Sequence, residues 1–298
     1  MIEERGAFDI LFKVALYSIL MLLVVICVAP FLHVIAVSLS GFAAVSEKRV
    51  SFWPIGFHLE NYRYIMGDEV FLRSFGISVL RVVVGVTLSL LIMVITAYPL
   101  SRDSIYMPGR TLFKMIMLFA MLFDGGLIPT FLAYMSLGLI DSFWVLIMPG
   151  ALNIFLTIII INYFRGISRE LWEAAMLDGA NHFNVLFRIF LPISQPVLAT
   201  VALFSAVGHW NSWFDGLIFL KTQAKWPLQS YLYSLVTTRD LQWRTGAGAA
   251  RAGELFSQAT PEGLATTMIL VAAIPILLVY PFLQRYFIHG LTLGSIKE

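Results

Sequence analysis

Arg169-Glu170-Leu171-Trp172-Glu173-Ala174-Ala175-Met176-Leu177-Asp178-Gly179 is a strong helix-forming run that ends on an acid and a glycine. It sits between two apolar stretches, roughly 142–163 and 195–220, each long enough to cross a bilayer, which takes about 20 mostly apolar residues. Leu171, Trp172, Ala175 and Met176 fall at helical spacing and predict one apolar stripe. Gly179 follows as a residue able to take the left-handed conformation that reverses a chain. A second short helix is predicted over Asn181 to Phe190, running on to Pro192. The segment is therefore helix, sharp turn, helix, standing clear of the membrane where something outside can grip it; an amphipathic hairpin lying at the interface is the alternative.

Outward from this segment the chain is apolar. Hydrophobic residues make up 59% and charged residues 13%, far from the soluble balance of roughly half and a quarter. The formal net charge of +2 gives no ground for nucleic acid as a partner, and the aromatic residues lie in apolar runs instead of alternating with Lys and Arg. Cys27, the single cysteine, lies within an apolar run and can form no intrachain disulfide.

Six spans are predicted, roughly 12–38, 72–100, 111–136, 142–163, 195–220 and 264–288, so the fold class is an all-α membrane protein. The first run is far longer than the roughly 7–15 residues of a signal-peptide core and is read as a span. Total charge does not orient the chain, because ten Lys and Arg fall on one side and nine on the other. The short connections discriminate: 101–114 carries Arg102, Arg110 and Lys114, whereas 137–141 carries no positive residue. Both termini and the 164–194 segment are thereby expected in the cytoplasm.

Spelled out, the segment reads E-A-A, three residues, G, nine residues, I-x-L-P, through Glu173, Ala174, Ala175, Gly179, Ile189, Leu191 and Pro192. It resembles the cytoplasmic coupling motif of bacterial ATP-binding-cassette (ABC) importer permeases. From about residue 70 onward the order of elements is similar to the maltose-type, carbohydrate-uptake branch of the type I importers. Phe123-Asp124-Gly125-Gly126-Leu127-Ile128-Pro129-Thr130, Gly208-His209-Trp210-Asn211-Ser212-Trp213-Phe214 and Gln284-Arg285-Tyr286-Phe287-Ile288-His289-Gly290-Leu291-Thr292 narrow the likeness to permeases for large oligosaccharides, pectin-derived and alginate systems among them. Asp124 departs from the commoner small polar residue at its position.

The resemblance implies a division into 1–70, the first span with an outer loop, and 71–298, a core of five spans with the coupling segment 164–194 and a tail at 289–298. It implies that Glu173, Ala174, Ala175, Asp178, Gly179, Ile189, Leu191 and Pro192 couple the chain to an ATPase. The implied partners are a homologous second permease, two ATPase subunits, an extracytoplasmic sugar-binding protein, the carbohydrate and membrane lipid, all at a bacterial cytoplasmic membrane. No cofactor is expected on this chain, with ATP and Mg placed on the ATPases. Independently of resemblance, none of Lys13, Lys48, Lys114, Lys221, Lys225 and Lys297 follows a glycine, as a phosphate-cradling P-loop would require.

Polar groups inside a membrane are costly and are functional candidates by default. Asp124, beside Gly125, Gly126 and Pro129, predicts a weakened helix that either exposes a substrate or gating site or holds the acid on backbone amides. His209, Trp210, Asn211, Trp213 and Asp215 are read as a second group on one helix, with His209 and Trp213, and Asn211 and Asp215, one turn apart. Aromatic faces beside hydrogen-bonding groups suit sugar rings; an interfacial aromatic belt is the structural alternative. Arg81, mid-span, is expected to pair inside the bundle. The 221–262 connection, with Trp226, Tyr231, Tyr233 and Trp243, is the implied contact loop for the binding protein. Two other classes stay open on residues alone. An ion-coupled secondary transporter would use Asp124 and His209 as a relay, and a membrane-embedded glycan-modifying enzyme would use His209 and Asp215 as acid and base.

Overall fold

The computed structural model describes residues 7–102, 107–245 and 261–292, and every regular element among them is helical. Two compact units divide the chain, one formed by Met1–Glu69 with Leu235–Ala273 and the other by Val70–Ser234 with Ile274–Glu298.

In the first unit, α1 (Ala7–Ser38) is a single helix of 32 residues. Leu, Ile, Val and Phe side chains along most of its length are exposed on all faces, a surface suited to lipid or to other helices. Packing begins only at its end, where Ala36 and Val37 meet Ala44 and Val45 of α2 (Phe42–Ser46) and Val50. Ser40 bridges there, donating to Ala36 O at 2.6 Å while accepting from Ile55 N at 3.0 Å. Buried Asn61, on α3 (Glu60–Gly67), donates to Ser38 O at 3.2 Å. These bonds satisfy carbonyls that the helix end leaves over.

The second unit is organised on α4 (Glu69–Ser101). Its buried positions, Phe71, Ser74, Ser78, Arg81, Gly85, Ser89, Met93 and Ala97, recur every three or four residues and form one stripe. Small and polar residues occupy the inside of this helix and apolar ones its outside, the arrangement expected where lipid solvates the exterior and close approach drives packing. Ser78 Oγ accepts from Leu228 N at 2.8 Å, seating the start of α13 (Leu228–Thr245) on the stripe. Toward its C-terminal end α4 gives Met93, Val94, Ala97, Tyr98 and Leu100 to a core shared with Leu156, Ile160 and Phe164 of α7 (Ile154–Gly166) and Val197 and Val201 of α11 (Gln195–Asn211).

Among the described residues, α1, from Ile10, and α4 are the two uninterrupted helices long and apolar enough to cross a membrane; three bent pairs also qualify, the third being His182–Ile193 with α11, turned by 83°. The stretch expected as one span over 111–136 is α5 (Arg110–Leu122) and α6 (Leu127–Ser136), turned by 118°. The stretch 142–163 joins short 3-10 turns, Phe143–Leu146 and Met148–Gly150, to α7 with a 46° bend, and Asn153 caps α7 by accepting from Leu156 N at 3.0 Å. The stretch 195–220 is also broken, because α11 ends at Asn211 and α12 covers Phe214–Phe219. The last stretch lies within α14 (Pro261–Thr292). The breaks at Asp124-Gly125-Gly126 and at Pro149 follow from residues that lack a side chain or an N–H; Ser212 and Trp213 carry no such marker. Gly246 to Ala250 and the end of the tail, 293–298, lie outside the described residues, as does the side chain of Trp243.

One polar clamp ties two turns of this unit. Asp141 takes φ +59°, a left-handed conformation that Asp tolerates better than most residues. Its carboxylate accepts from Lys225 Nζ at 2.7 Å, Lys221 N at 3.1 Å and Thr222 N at 3.2 Å, while Asp141 N donates to Phe219 O at 2.8 Å. Hydrogen bonding to Lys225, with help from Thr222, holds the carboxyl down to about 2 from its ordinary 3.8. A lowered carboxyl stabilises the fold above its unfolded value and loses that contribution as pH falls through the folded one. Asp141→Asn is expected to speed protease cleavage of the 220–227 turn by the same factor at pH 7 and pH 5; a factor that changes between them would mean that another group controls the clamp.

Candidate functional site

The 164–194 segment is built on a short helix with a buried root. In α8 (Arg169–Leu177) Trp172 turns inward and its Nε1 donates to Tyr98 Oη at 3.1 Å. His182 lies beside both, 3.3 Å from Tyr98 Oη through Nδ1 and with its ring 6.3 Å from that of Trp172. Phe190 meets Tyr98 edge-on at 5.3 Å, and the Arg102 guanidinium lies 4.5 Å over the Phe190 ring while donating to Phe164 O at 3.1 Å. An aromatic cluster thus fixes the segment to the end of α4.

The turn itself matches the reading from sequence. Gly179 has φ +81°; its N–H donates to Met176 O at 3.1 Å and that of Ala180 to Ala175 O at 3.0 Å, closing the helix end. Asn181 then caps the next helix through Asn184 N at 2.8 Å. That helix differs from expectation. It runs from His182 to Ile193 as α9 (His182–Val185), a π-helical turn over Leu186–Phe190 and α10 (Leu191–Ile193).

The apolar stripe also differs. Trp172, Ala175 and Met176 face the core, but Leu171 is 41% exposed, because the buried arc of so short a helix is narrower than the stripe. Leu177, 88% exposed, and Phe183, 68% exposed, flank the Gly179 turn, with Ala174 and Asp178 also at the surface. Glu173 accepts from Arg169 Nε at 2.7 Å, one turn away and largely solvated, a pair worth only about 0.3–0.5 kcal/mol. Ile189 and Leu191 pack onto the core, and Pro192 is exposed.

A cavity of about 310 Å³ opens elsewhere in the same unit, with Arg81, Asn153, Ser205, His209, Ser212 and Asp215 among its lining residues. The break after α11 lets Asp215, at the start of α12, reach α4. Its carboxylate pairs end-on with Arg81, Oδ1 accepting from Nη1 at 3.2 Å and Oδ2 from Nη2. Ser212 Oγ and Gly216 N each donate to Asp215 Oδ1 at 2.9 Å. His209 lies one turn along the wall against Gly85, where a Cβ would come within 2.7–2.9 Å of three ring atoms.

The residues read as one group therefore separate. His209 and Asp215 line the cavity; Trp210 is buried with its ring edge-on to Phe75 at 5.7 Å; Asn211 is exposed. Trp213 stacks on Tyr233 at 4.0 Å, leaving that aromatic of the 221–262 connection with a partner inside the unit. Trp226 Nε1 donates to Leu220 O at 3.1 Å, and Tyr231 lies half-buried on α13. Asp124 sits exposed at the α5–α6 break with Oδ1 accepting from Gly126 N at 2.9 Å, so a backbone amide holds it. Gly85, Asn153 and Ser205 escaped the sequence reading. Gly85 shares the four-residue spacing of Arg81, Ser89 and Met93, a signal available in retrospect.

No family model matches the chain. Protein LplC of Bacillus subtilis is 42% identical over 274 residues, 91% of this chain and 90% of that protein. The polygalacturonan/rhamnogalacturonan transport system permease YtcP of the same organism is 39% identical over 289 residues, 96% and 98% of the two chains. A chain of the crystal structure of a bacterial ABC transporter involved in the import of the acidic polysaccharide alginate is 31% identical and superposes with a TM-score of 0.87, covering 96% of this chain and all of its own. The chain belongs to the sugar permeases of ABC transporters.

Gly85→Ala is expected to displace the His209 ring and lower the melting temperature of the purified complex, since overpacking typically costs about 1–3 kcal/mol. His209→Ala placed on top of it should recover most of that loss by vacating the space. An unaltered melting temperature in Gly85→Ala would show that the notch does not seat the ring.

Proposed function

We propose that this chain is one of two permease subunits of an ATP-driven, binding-protein-dependent importer of acidic oligosaccharides derived from polyuronides. The observation that carries the substrate class is the full-length likeness to two permeases named for such polymers, polygalacturonan/rhamnogalacturonan in one and alginate in the other. The family makes transport the activity and does not favour an ion-coupled carrier or a glycan-modifying enzyme.

In this reading the chain crosses a bacterial cytoplasmic membrane six times. The spans are α1, α4, the bent pairs α5–α6 and the 143–166 element, α11 with α12, and α14. Both termini and residues 164–194 lie in the cytoplasm. An extracytoplasmic binding protein delivers sugar, with Trp226, Tyr231 and Trp243 on the connection that would meet it. Two ATPase subunits, carrying ATP and Mg, would receive the turn at Gly179, with Leu177 and Phe183 as apolar knobs and Glu173, Ala174, Ala175 and Asp178 beside them. The root at buried Trp172 and Tyr98, with the exposed His182 beside them, makes that docking mechanically useful. Force applied at the turn reaches α4, whose Arg81 lines the cavity, without first being absorbed by a loop. Nucleotide can drive the cycle only through a difference in ATPase dimer stability between the outward and inward arrangements.

Leu177→Asp and Glu173→Lys are expected to reduce co-purification of the ATPase with the permease, the first by about 10-fold or more, since burying a Leu is worth about 1.5–3 kcal/mol. Both should insert in the membrane at normal levels. Retention of ATPase and of uptake in both variants would refute the docking surface. Gly179→Val should release more ATPase than Gly179→Asn, because Asn tolerates positive φ and a β-branched residue does not. Uptake of a polyuronide fragment by cells should stop when the partner ATPase is inactivated and persist under an uncoupler; the opposite pattern would return the chain to the ion-coupled class.

A further inference from the structure

Arg81 is 3% exposed, yet it carries a charge in the wall of the cavity. A guanidinium has five N–H donors. Asp215 and the carbonyl of Ser212 use three of them: Nη1 donates to Asp215 Oδ1 at 3.2 Å and to Ser212 O at 3.3 Å, and Nη2 to Asp215 Oδ2. Nε is buried with no partner. The donors left over, Nε–H and the second hydrogen of Nη2, point along the same side-on edge, and two parallel N–H groups of that kind match the two oxygens of a carboxylate. A buried donor without an acceptor is rare in folded proteins and calls for one.

Asp215 does not compete for that edge. Ser212 Oγ and Gly216 N fix its Oδ1 at 2.9 Å each, so it stays end-on at the head of α12. Its role is to keep the guanidinium compensated while the cavity is empty, because a bare buried charge is strongly destabilising. A polyuronide brings one carboxylate per sugar into a region where an unpaired anion is equally unwelcome. Among the described residues that line the cavity, Arg81 is the one permanent cation. Asn153 and Ser205, which also line the cavity, offer hydroxyl-binding groups.

The geometry points to Arg81 as the residue that selects acidic sugars, its side-on edge receiving a uronate carboxylate while Asp215 holds the other edge. This rests on the acidic-substrate reading above and adds the group that would discriminate. Arg81→Lys keeps a charge beside Asp215 but has no planar edge. The double variant Arg81→Gln/Asp215→Asn removes both charges and leaves neither bare.

The test is equilibrium binding of trigalacturonate and trimannuronate, each beside its neutral methyl ester, to the permease–ATPase complex in lipid nanodiscs. Omitting the binding protein leaves the permease to set the preference. Wild type is expected to favour acid over ester by about tenfold or more, the scale of a hydrogen bond to a charged group, and both variants to bring that ratio to about one. A ratio that survives in either folded variant overturns the assignment and marks Arg81 and Asp215 as a structural pair. A wild-type complex that shows no preference for either acid overturns the substrate class itself, in an arm that no variant enters.

Discussion

The stripe along α4 is the constraint on which the second unit rests. Three of its positions each hold a different element, Ser78 the start of α13, Arg81 the head of α12 and Gly85 the ring of His209, and Tyr98 beside its end holds α8. In water such a helix would turn its apolar face inward and its serines outward. In lipid the exterior is satisfied by hydrocarbon, and what remains to organise the inside is short side chains, close backbone approach and hydrogen bonds. Ser74, Ser78 and Ser89 are buried for that reason and would make little sense in a soluble core.

The helix breaks obey the same logic. Irregular backbone at membrane depth must find partners inside the protein. Asp124 receives Gly126 N, Asn153 receives Leu156 N, and Asp215 receives Gly216 N, so an acid or amide side chain sits at these three interruptions. The breaks also create the cavity. A continuous helix from 195 to 220 would place Asp215 a turn beyond Asn211 on the same cylinder, whereas the step at Ser212 and Trp213 swings it onto Arg81.

Long apolar runs made the helical membrane fold legible, and the glycine after Asp178 made the turn legible down to its backbone conformation. Those features are local. The broken span at Ser212–Trp213 was not, because neither residue forbids a helix, and the break is stabilised by Arg81, distant in sequence. For the same reason a one-turn spacing assumed for His209 with Trp213, and for Asn211 with Asp215, has no counterpart in the structure. Leu171 shows a second limit: periodicity tells which residues share a face but not how much of that face a nine-residue helix covers. The pairing of Asp141 with Lys225 and the seating of His209 on Gly85 join residues far apart, and no pattern within one segment announces either.

The π-helical turn at Leu186–Phe190 sets the phase between the Gly179 turn and Pro192. A regular α-helix advances by about 100° per residue, and a π turn takes up an additional residue in the same rise. The helical run from His182 therefore arrives at Pro192 rotated from where an uninterrupted α-helix would bring it, with Phe190 and Leu186 both turned into the core. The number of residues between Gly179 and Pro192 consequently behaves as an angular setting. Side-chain substitutions there can be absorbed by packing, but a gain or loss of a single residue would re-index the screw and aim the turn at Gly179 in a different direction.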